Sequence, residues 1–186
     1  MDDGVRRAPG PVMVGVDGSQ GSARALAWAL REARDRRAPL RVVTAWAWGG
    51  TLTPGRPPIP WSRDVSAGRQ ARQSQEALVR AVVARFPGAL PQLTTELVQG
   101  DAASVLIDRC HGSDLLVLGS RGPRATGDAR PGSVGSVTDT CLRHCTCPVV
   151  VVPAGSRPGT CETVPSQGQT PAGLVVLSAQ HAVGLL

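Results

Sequence analysis

The sequence holds no lysine, no asparagine and no tyrosine, only two isoleucines and a single phenylalanine, Phe86. Without lysine there is no P-loop ammonium for a β- or γ-phosphate, no kinase strand lysine and no Schiff-base chemistry. Without tyrosine there is no phenolic acid or base. The G-x-S-x-G, H-E-x-x-H and G-x-G-x-x-G patterns are also missing, so a nucleophile elbow, a zincin helix and a dinucleotide fingerprint are not on offer. No stretch approaches the roughly 18 apolar residues that read as a membrane-spanning helix. The start, Met1-Asp2-Asp3-Gly4-Val5-Arg6-Arg7, is mixed in charge and lacks the apolar run of a signal peptide, and the expected location is the cytoplasm. Five cysteines, an odd number, fit reduced thiols better than a disulfide framework.

What is present is enough for one compact domain with chain left over. The 186 residues are 41% hydrophobic and 18% charged, a globular balance that can bury a core without disulfide or metal help. All 20 basic residues are arginine, and they give a net charge of +6. Arg, Ala, Gly and Pro in place of Lys, Asn, Tyr and Ile is what a GC-rich coding sequence produces. The arginines are scattered rather than striped, so the basic balance points to composition and not to a nucleic-acid surface.

Along the chain, apolar runs alternate with helical periodicity. Residues 11–16 form a short apolar run suited to a strand buried on both faces, broken by Asp17-Gly18-Ser19. Ala23, Leu26, Ala27, Leu30 and Ala33 then recur at helical spacing until Pro39. Residues 40–46 are a second strand, and 49–60 is a Gly- and Pro-rich loop. Gln75, Leu78, Val79, Val82, Val83 and Phe86 restore helical spacing, ended by Pro87-Gly88. Residues 93–98 read as an edge strand because polar residues interleave. Asp101 is placed to cap a short helix, 114–119 is a fourth strand, Ser133 is placed to cap a helix to about His144, and 148–152 is a fifth strand. This pattern predicts a doubly wound α/β fold, Rossmann-like, with a five-stranded parallel sheet and helices on both faces. Residues 1–10 are expected to be a flexible N-terminus, 11–153 the domain, and 154–186 a low-complexity, disordered tail. Within that tail, 174–177 is apolar and is expected to be unstructured, with addition to a sheet edge as the alternative.

In doubly wound sheets, ligands sit beyond the carboxyl ends of the strands where the winding reverses. Two glycine-bearing segments meet that description: Gly15-Val16-Asp17-Gly18-Ser19, and Gly119-Ser120-Arg121-Gly122 leading to Gly132-Ser133. Glycines let backbone N–H groups approach an anion, and a helix start adds unpaired donors and partial positive charge. Such a phosphate cradle needs no lysine.

These residues, taken in order with Gly100-Asp101, residues 114–122, Gly132-Ser133-Val134 and Cys147-Pro148-Val149-Val150-Val151-Val152, resemble the universal stress protein family. The spacing G-x2-G-x9-G-S from Gly119 is similar to the nucleotide-binding pattern of the family's ATP-binding branch, and the likeness covers about residues 10–153. The resemblance implies a regulatory ATP-binding module in stress response, with these roles by position. Gly15 and Asp17 would face the nucleotide, Asp17 toward the ribose or toward a magnesium ion at the phosphates. Ala45 would read the adenine through its backbone. Gly119, Ser120, Arg121 and Gly122 would run along ribose and phosphates, and Gly132, Ser133 and Val134 would hold the terminal phosphates. The chain departs from the family where 123–131 is polar and proline-bounded, and at Gly135, a residue that costs about 1 kcal/mol inside a helix.

Other readings stay beside this one. Asp17 could be a turn-former only, and the glycines could be turn glycines without a ligand. Cys141, His144, Cys145 and Cys147 invite a zinc reading, but their spacing lacks a second ligand pair and buried thiols suffice. Cys110 and His111 read as a helix terminus rather than a dyad. Trp46, Trp48 and Trp61 surround the long loop and could cover either an adenine or the sheet mouth. No histidine neighbours either glycine segment, so catalysis is expected to be at most slow ATP hydrolysis or autophosphorylation. The alternatives are a family member without nucleotide that acts through protein contacts, and an adenine-nucleotide-dependent enzyme. The all-apolar fifth strand is an aggregation hazard unless its edge is covered, and the resemblance implies that it pairs with its copy across a two-fold axis in a homodimer.

Overall fold

The computed structural model describes residues 9–47, 64–121, 134–153 and 175–177. The expectations for residues 1–8, for the loop at 49–60 with Trp48 and Trp61, for Gly122, Gly132, Ser133 and 123–131, and for most of the tail lie outside the described residues.

The element order is β1 (Val12–Gly15), α1 (Gln20–Arg36), β2 (Leu40–Trp46), α2 (Asp64–Val83), β3 (Leu93–Gln99), α3 (Ala102–Arg109), β4 (Leu115–Gly119), α4 (Ser136–His144), β5 (Val149–Val152) and β6 (Val175–Leu177). The strands form one sheet in the order β3-β2-β1-β4-β5-β6. β1 to β5 pair in parallel, with Val12 opposite both Leu40 and Leu115, which is the expected doubly wound α/β sheet.

Strand alternation divides the core in two. Val12, Val14, Val42 and Val117 point to one face, where Leu26, Ala29, Leu30 and Ala33 of α1 and the apolar end of α2 cover them. Met13, Val43, Leu116 and Val149 point to the other, against Leu106 of α3 and Cys141 of α4. Val12, Met13 and Val14 are all fully buried, as a central strand with helices on both faces requires.

Caps set the helix starts. The Ser19 hydroxyl accepts from the Ser22 N–H at 3.1 Å, and Asp101 accepts from the Ser104 N–H at 3.0 Å, as its sequence position predicts. Those hydrogen bonds hold the Asp101 carboxyl below its usual range. Arg37 ends α1 in the left-handed region, at φ 54.

Three features differ from expectation. The last helix starts at Ser136 with Gly135 as its cap, not Ser133, so Gly135 lies before the helix and carries no helix-interior cost. α2 begins at Asp64, about three turns ahead of Gln75, because its first half is polar and shows no apolar period. Residues 175–177, expected to be unstructured, form β6 antiparallel to β5.

Candidate functional site

From β1 the chain winds to β2 and β3 on one side, then crosses to β4 and β5 on the other. The reversal lies between β1 and β4, and the carboxyl ends of those strands frame the site. After β1 the chain turns sharply. The Asp17 carboxylate accepts from the Ser19 N–H at 2.9 Å, an Asx turn, and Gly18 takes φ +83. The exposed Asp17 thus fixes the turn and keeps its other oxygen available.

Glycine packing at the strand ends is tighter than a ligand approach alone would need. A Cβ on Gly119 would lie 2.8 Å from the Gly21 carbonyl carbon, and one on Gly21 would lie 2.6 Å from the Arg121 carbonyl oxygen. Backbone from β4, from the first turn of α1 and from the start of the following loop therefore stack without side chains between them. Gly15 is similar: a Cβ there would meet Leu118 at 2.7 Å and Leu106 at 3.1 Å. Glycine at 15 and 119 answers first to the packing of the protein on itself. The sequence carried this signal in Gly21, which motif reading passed over.

The next loop is drawn together at its base. The Ser120 N–H donates to the Val152 carbonyl at 2.9 Å, and the Ser120 carbonyl accepts from the Gly135 N–H at 2.7 Å. Thr138, buried in the first turn of α4, donates its hydroxyl to the Gly119 carbonyl at 2.9 Å. These bonds set the N-terminus of α4 over the end of β4, with Val134 packed on the core below. Gly135 supplies no side-chain cap. The helix start consequently offers backbone donors and a dipole to an anion. Thr138 was not singled out from sequence, since a lone threonine inside a helix gives no motif.

On the other side of β1, a cavity of about 310 Å³ opens at the ends of β1 and β2. Asp17, Gly18, Thr44 and Ala45 form one wall, and Ala67, Gln70, Ala71, Ser74 and Gln75 of α2 the other. This brings Asp17 and Ala45 together, while Gly119, Ser120 and Arg121 lie outside that cavity, at the end of the neighbouring strand. Buried Gln75 holds the α2 wall by donating from Nε2 to the Glu96 carbonyl at 2.8 Å. The Trp46 ring packs beside Gly68 of α2. A second cavity, of about 270 Å³, is lined by Arg34, Arg37, Pro39, Leu90 and Gln92 at the amino ends of the strands, away from the reversal.

Thr44 is 7% exposed, and its hydroxyl is buried without a hydrogen-bond partner. Such a group costs about 1–3 kcal/mol of desolvation. Thr44→Val is therefore expected to raise unfolding stability by about 1 kcal/mol, read as a higher urea midpoint at unchanged slope.

The cysteines stay out of this site. Cys110, Cys141, Cys145 and Cys147 are buried and free. Burial pushes the Cys147 thiol up to about 12, and a hydrogen bond with Cys141, with burial behind it, pushes Cys145 up as well. The same hydrogen bond holds the Cys141 thiol below its ordinary value, and among the described residues no group of three or more His, Cys, Asp or Glu is placed to hold a metal. Cys110 ends α3 with its thiol on the Ile107 carbonyl, and His111 contacts the Asp108 carbonyl, a helix terminus as expected. Among the described residues no helix is long and apolar enough to cross a membrane.

A doubly wound parallel sheet with glycine-packed strand ends and a helix start at the reversal defines an α/β protein of the Rossmann-like class. The family model described as "Universal stress protein family" matches residues 10–153, and the chain belongs to that family. The Mycobacterium tuberculosis "Universal stress protein Rv1996" is 30% identical over 163 residues, covering 79% of this chain and 49% of its own length. The chain spans about half the length of the curated relatives it matches. Among solved structures, universal stress protein UspA from Lactobacillus plantarum is 24% identical, covering 78% of this chain and 97% of its own, with a TM-score of 0.55. A universal stress protein in complex with cAMP is 23% identical over 78% of this chain and 98% of its own, with a TM-score of 0.46.

Proposed function

We propose that this chain binds ATP at the carboxyl ends of β1, β2 and β4 and acts as a regulatory nucleotide-binding module in the stress response, in the cytoplasm. The observation that carries the reading is the cavity uniting Asp17 and Ala45, one strand away from the start of α4, whose cap Gly135 supplies no side-chain hydrogen bond. The adenine enters between the Ala45 backbone and the α2 wall. Asp17 accepts from the ribose hydroxyls, or contributes its outer oxygen to a magnesium ion carried by the phosphates. The phosphates run past Gly119, Ser120, Arg121 and Gly122 to Gly132, Ser133 and Val134, where backbone N–H groups and the Ser133 hydroxyl receive them.

A regulatory role rather than rapid catalysis is supported by where the histidines of the described residues sit. His111 follows the end of α3 and His144 ends α4, so both lie toward the amino ends of the strands. Neither stands where it could take a proton from water attacking a phosphate. A second reading, an enzyme that adenylates a substrate, lacks a Ser-Gly-Gly-rich first loop, since the loop here is Asp17-Gly18-Ser19-Gln20-Gly21. A nucleotide-free protein acting through contacts is the third.

Mass spectrometry of ligand released from denatured, freshly purified protein separates the three, with adenine nucleotide expected. In calorimetric titrations with ATP, Gly122→Val abolishes binding because a branched side chain blocks close approach of the phosphates. Ser133→Ala costs about 1–2 kcal/mol, the value of one hydrogen bond to a charged group. Parent-like binding by Gly122→Val removes the glycine cradle as the site.

A further inference from the structure

Three buried side-chain polar atoms have no hydrogen-bond partner among the described residues: Arg24 Nε, Thr44 Oγ1 and Ser113 Oγ. Of these residues Thr44 alone lines either of the two cavities. Its place in β2 makes the orphaned hydroxyl unexpected. Alternate residues of a strand share a face, so Leu40, Val42 and Thr44 point the same way. Leu40 and Val42 are fully buried in the cluster beneath α1 and α2. Valine at 44 would continue that row with the same shape and no desolvation cost. The chain instead carries a hydroxyl where the row leaves the core and meets the 310 Å³ cavity.

Across the cavity stand Gln70, Ser74 and Gln75 of α2. Gln70 and Ser74 are exposed at its rim, while Gln75 is buried. The Gln75 amide nitrogen is already committed, donating to the Glu96 carbonyl at 2.8 Å and the Val42 carbonyl at 3.4 Å. The Thr44 hydroxyl is shielded in this structure, so the residue meets the cavity through its other atoms. One rotamer step about χ1 exchanges the positions of hydroxyl and methyl. No hydrogen bond opposes that turn, because the hydroxyl makes none. Once turned, it offers both a donor and an acceptor to a molecule filling the cavity, whose own enclosed polar atoms need partners for the same reason.

We propose that Thr44 is a specificity-determining residue of this cavity: its hydroxyl hydrogen-bonds the polar edge of a purine base seated between β2 and α2. The inference rests on the nucleotide reading above and adds side-chain recognition to the backbone contact at Ala45. A ring nitrogen or an exocyclic amine satisfies the hydroxyl and is satisfied by it. Ligand binding therefore removes the desolvation cost that folding alone leaves in place. Stability and binding consequently oppose each other at this position, as they do where a residue serves the ligand rather than the fold.

The test compares Thr44→Val and Thr44→Ser with the parent in the full chain. In calorimetric titration with ATP, Thr44→Val is expected to bind about tenfold more weakly, the value of one hydrogen bond in an enclosed site. Urea unfolding without ligand is expected to show the same variant as the more stable protein. Loss of fold cannot produce that pair of results. Thr44→Ser keeps the hydroxyl but not the methyl, and is expected to bind within about threefold of the parent while unfolding at lower urea. The tenfold factor is expected again with ADP, because the contact is to the base and not to the phosphates. A Thr44→Val protein that binds ATP as the parent does overturns the inference and leaves the nucleotide reading standing. Thr44→Ser binding as weakly as Thr44→Val, or a factor that disappears with ADP, does the same. A parent that binds no adenine nucleotide overturns both.

Discussion

Gly119→Ala is expected to lower the unfolding free energy by about 3 kcal/mol, the upper part of the range for overpacking a close contact. The new methyl would stand 2.8 Å from the Gly21 carbonyl carbon and 2.9 Å from its oxygen, and neither can swing aside as a side-chain tip would. Relief requires α1 to back away from β4, yet α1 is anchored by fully buried Ala25, Leu26, Ala29 and Leu30. Gly21→Ala meets the Arg121 carbonyl oxygen at 2.6 Å and is expected to cost about 2 kcal/mol, offset in part by the better helix propensity of alanine. The two substitutions displace the same helix turn, so the double variant is expected to cost less than the sum. Gly18→Ala is the control. It has no atom within 4 Å of the added carbon but a φ of +83, so it bears only the left-handed cost of about 1–2 kcal/mol. Urea unfolding of the four variants beside the parent measures all of these. An unchanged midpoint for Gly119→Ala would mean that α1 does not rest on the end of β4.

That contact also shows where sequence reading reaches its limit. The alternation of apolar runs and helical spacing placed all five parallel strands, because four of them are short and largely apolar and β3 alternates polar with apolar residues as an edge strand does. Residues 40–46 coincide with β2, and Asp101 caps α3 as its position implied. These features are local, and local chemistry is what a sequence displays. The partnership of Gly21 with Gly119 spans two elements far apart in the chain, so the sequence displays the place of Gly119 in the β4 motif but not its packing against α1.

The α2 wall of the cavity was hidden for a different reason. Residues 66–74 are polar or small and lie on the surface, and without an apolar stripe the helix has no period to detect before Gln75. Its alanines at 67 and 71 are silent in sequence but leave the space that the cavity occupies. β6 stayed only an alternative reading because a run as short as 174–177 cannot form a core by itself. Only the presence of an open all-valine edge gives it something to pair with.

Ala71→Trp is expected to weaken ATP binding at least about 100-fold, equivalent to about 2.7 kcal/mol, with the fold intact. Ala71 sits on α2 at the rim of the 310 Å³ cavity, facing Asp17 and Ala45 across it. An indole in that position fills the space assigned to the adenine, and α2 is already partly exposed there, so no core atom has to move. The helix-propensity change from alanine to tryptophan is a few tenths of a kcal/mol. Gln73→Trp introduces the same bulk at an exposed position two residues on that does not line the cavity, and it is expected to bind ATP as the parent does. Calorimetric titration of the three proteins, with thermal melts as the folding control, gives the comparison. If Ala71→Trp binds ATP with parental affinity while Gly122→Val does not, the phosphates use the glycine loop but the base lies elsewhere than against α2. If both bind as the parent does, the strand ends are not the nucleotide site, and function through protein contacts becomes the better reading.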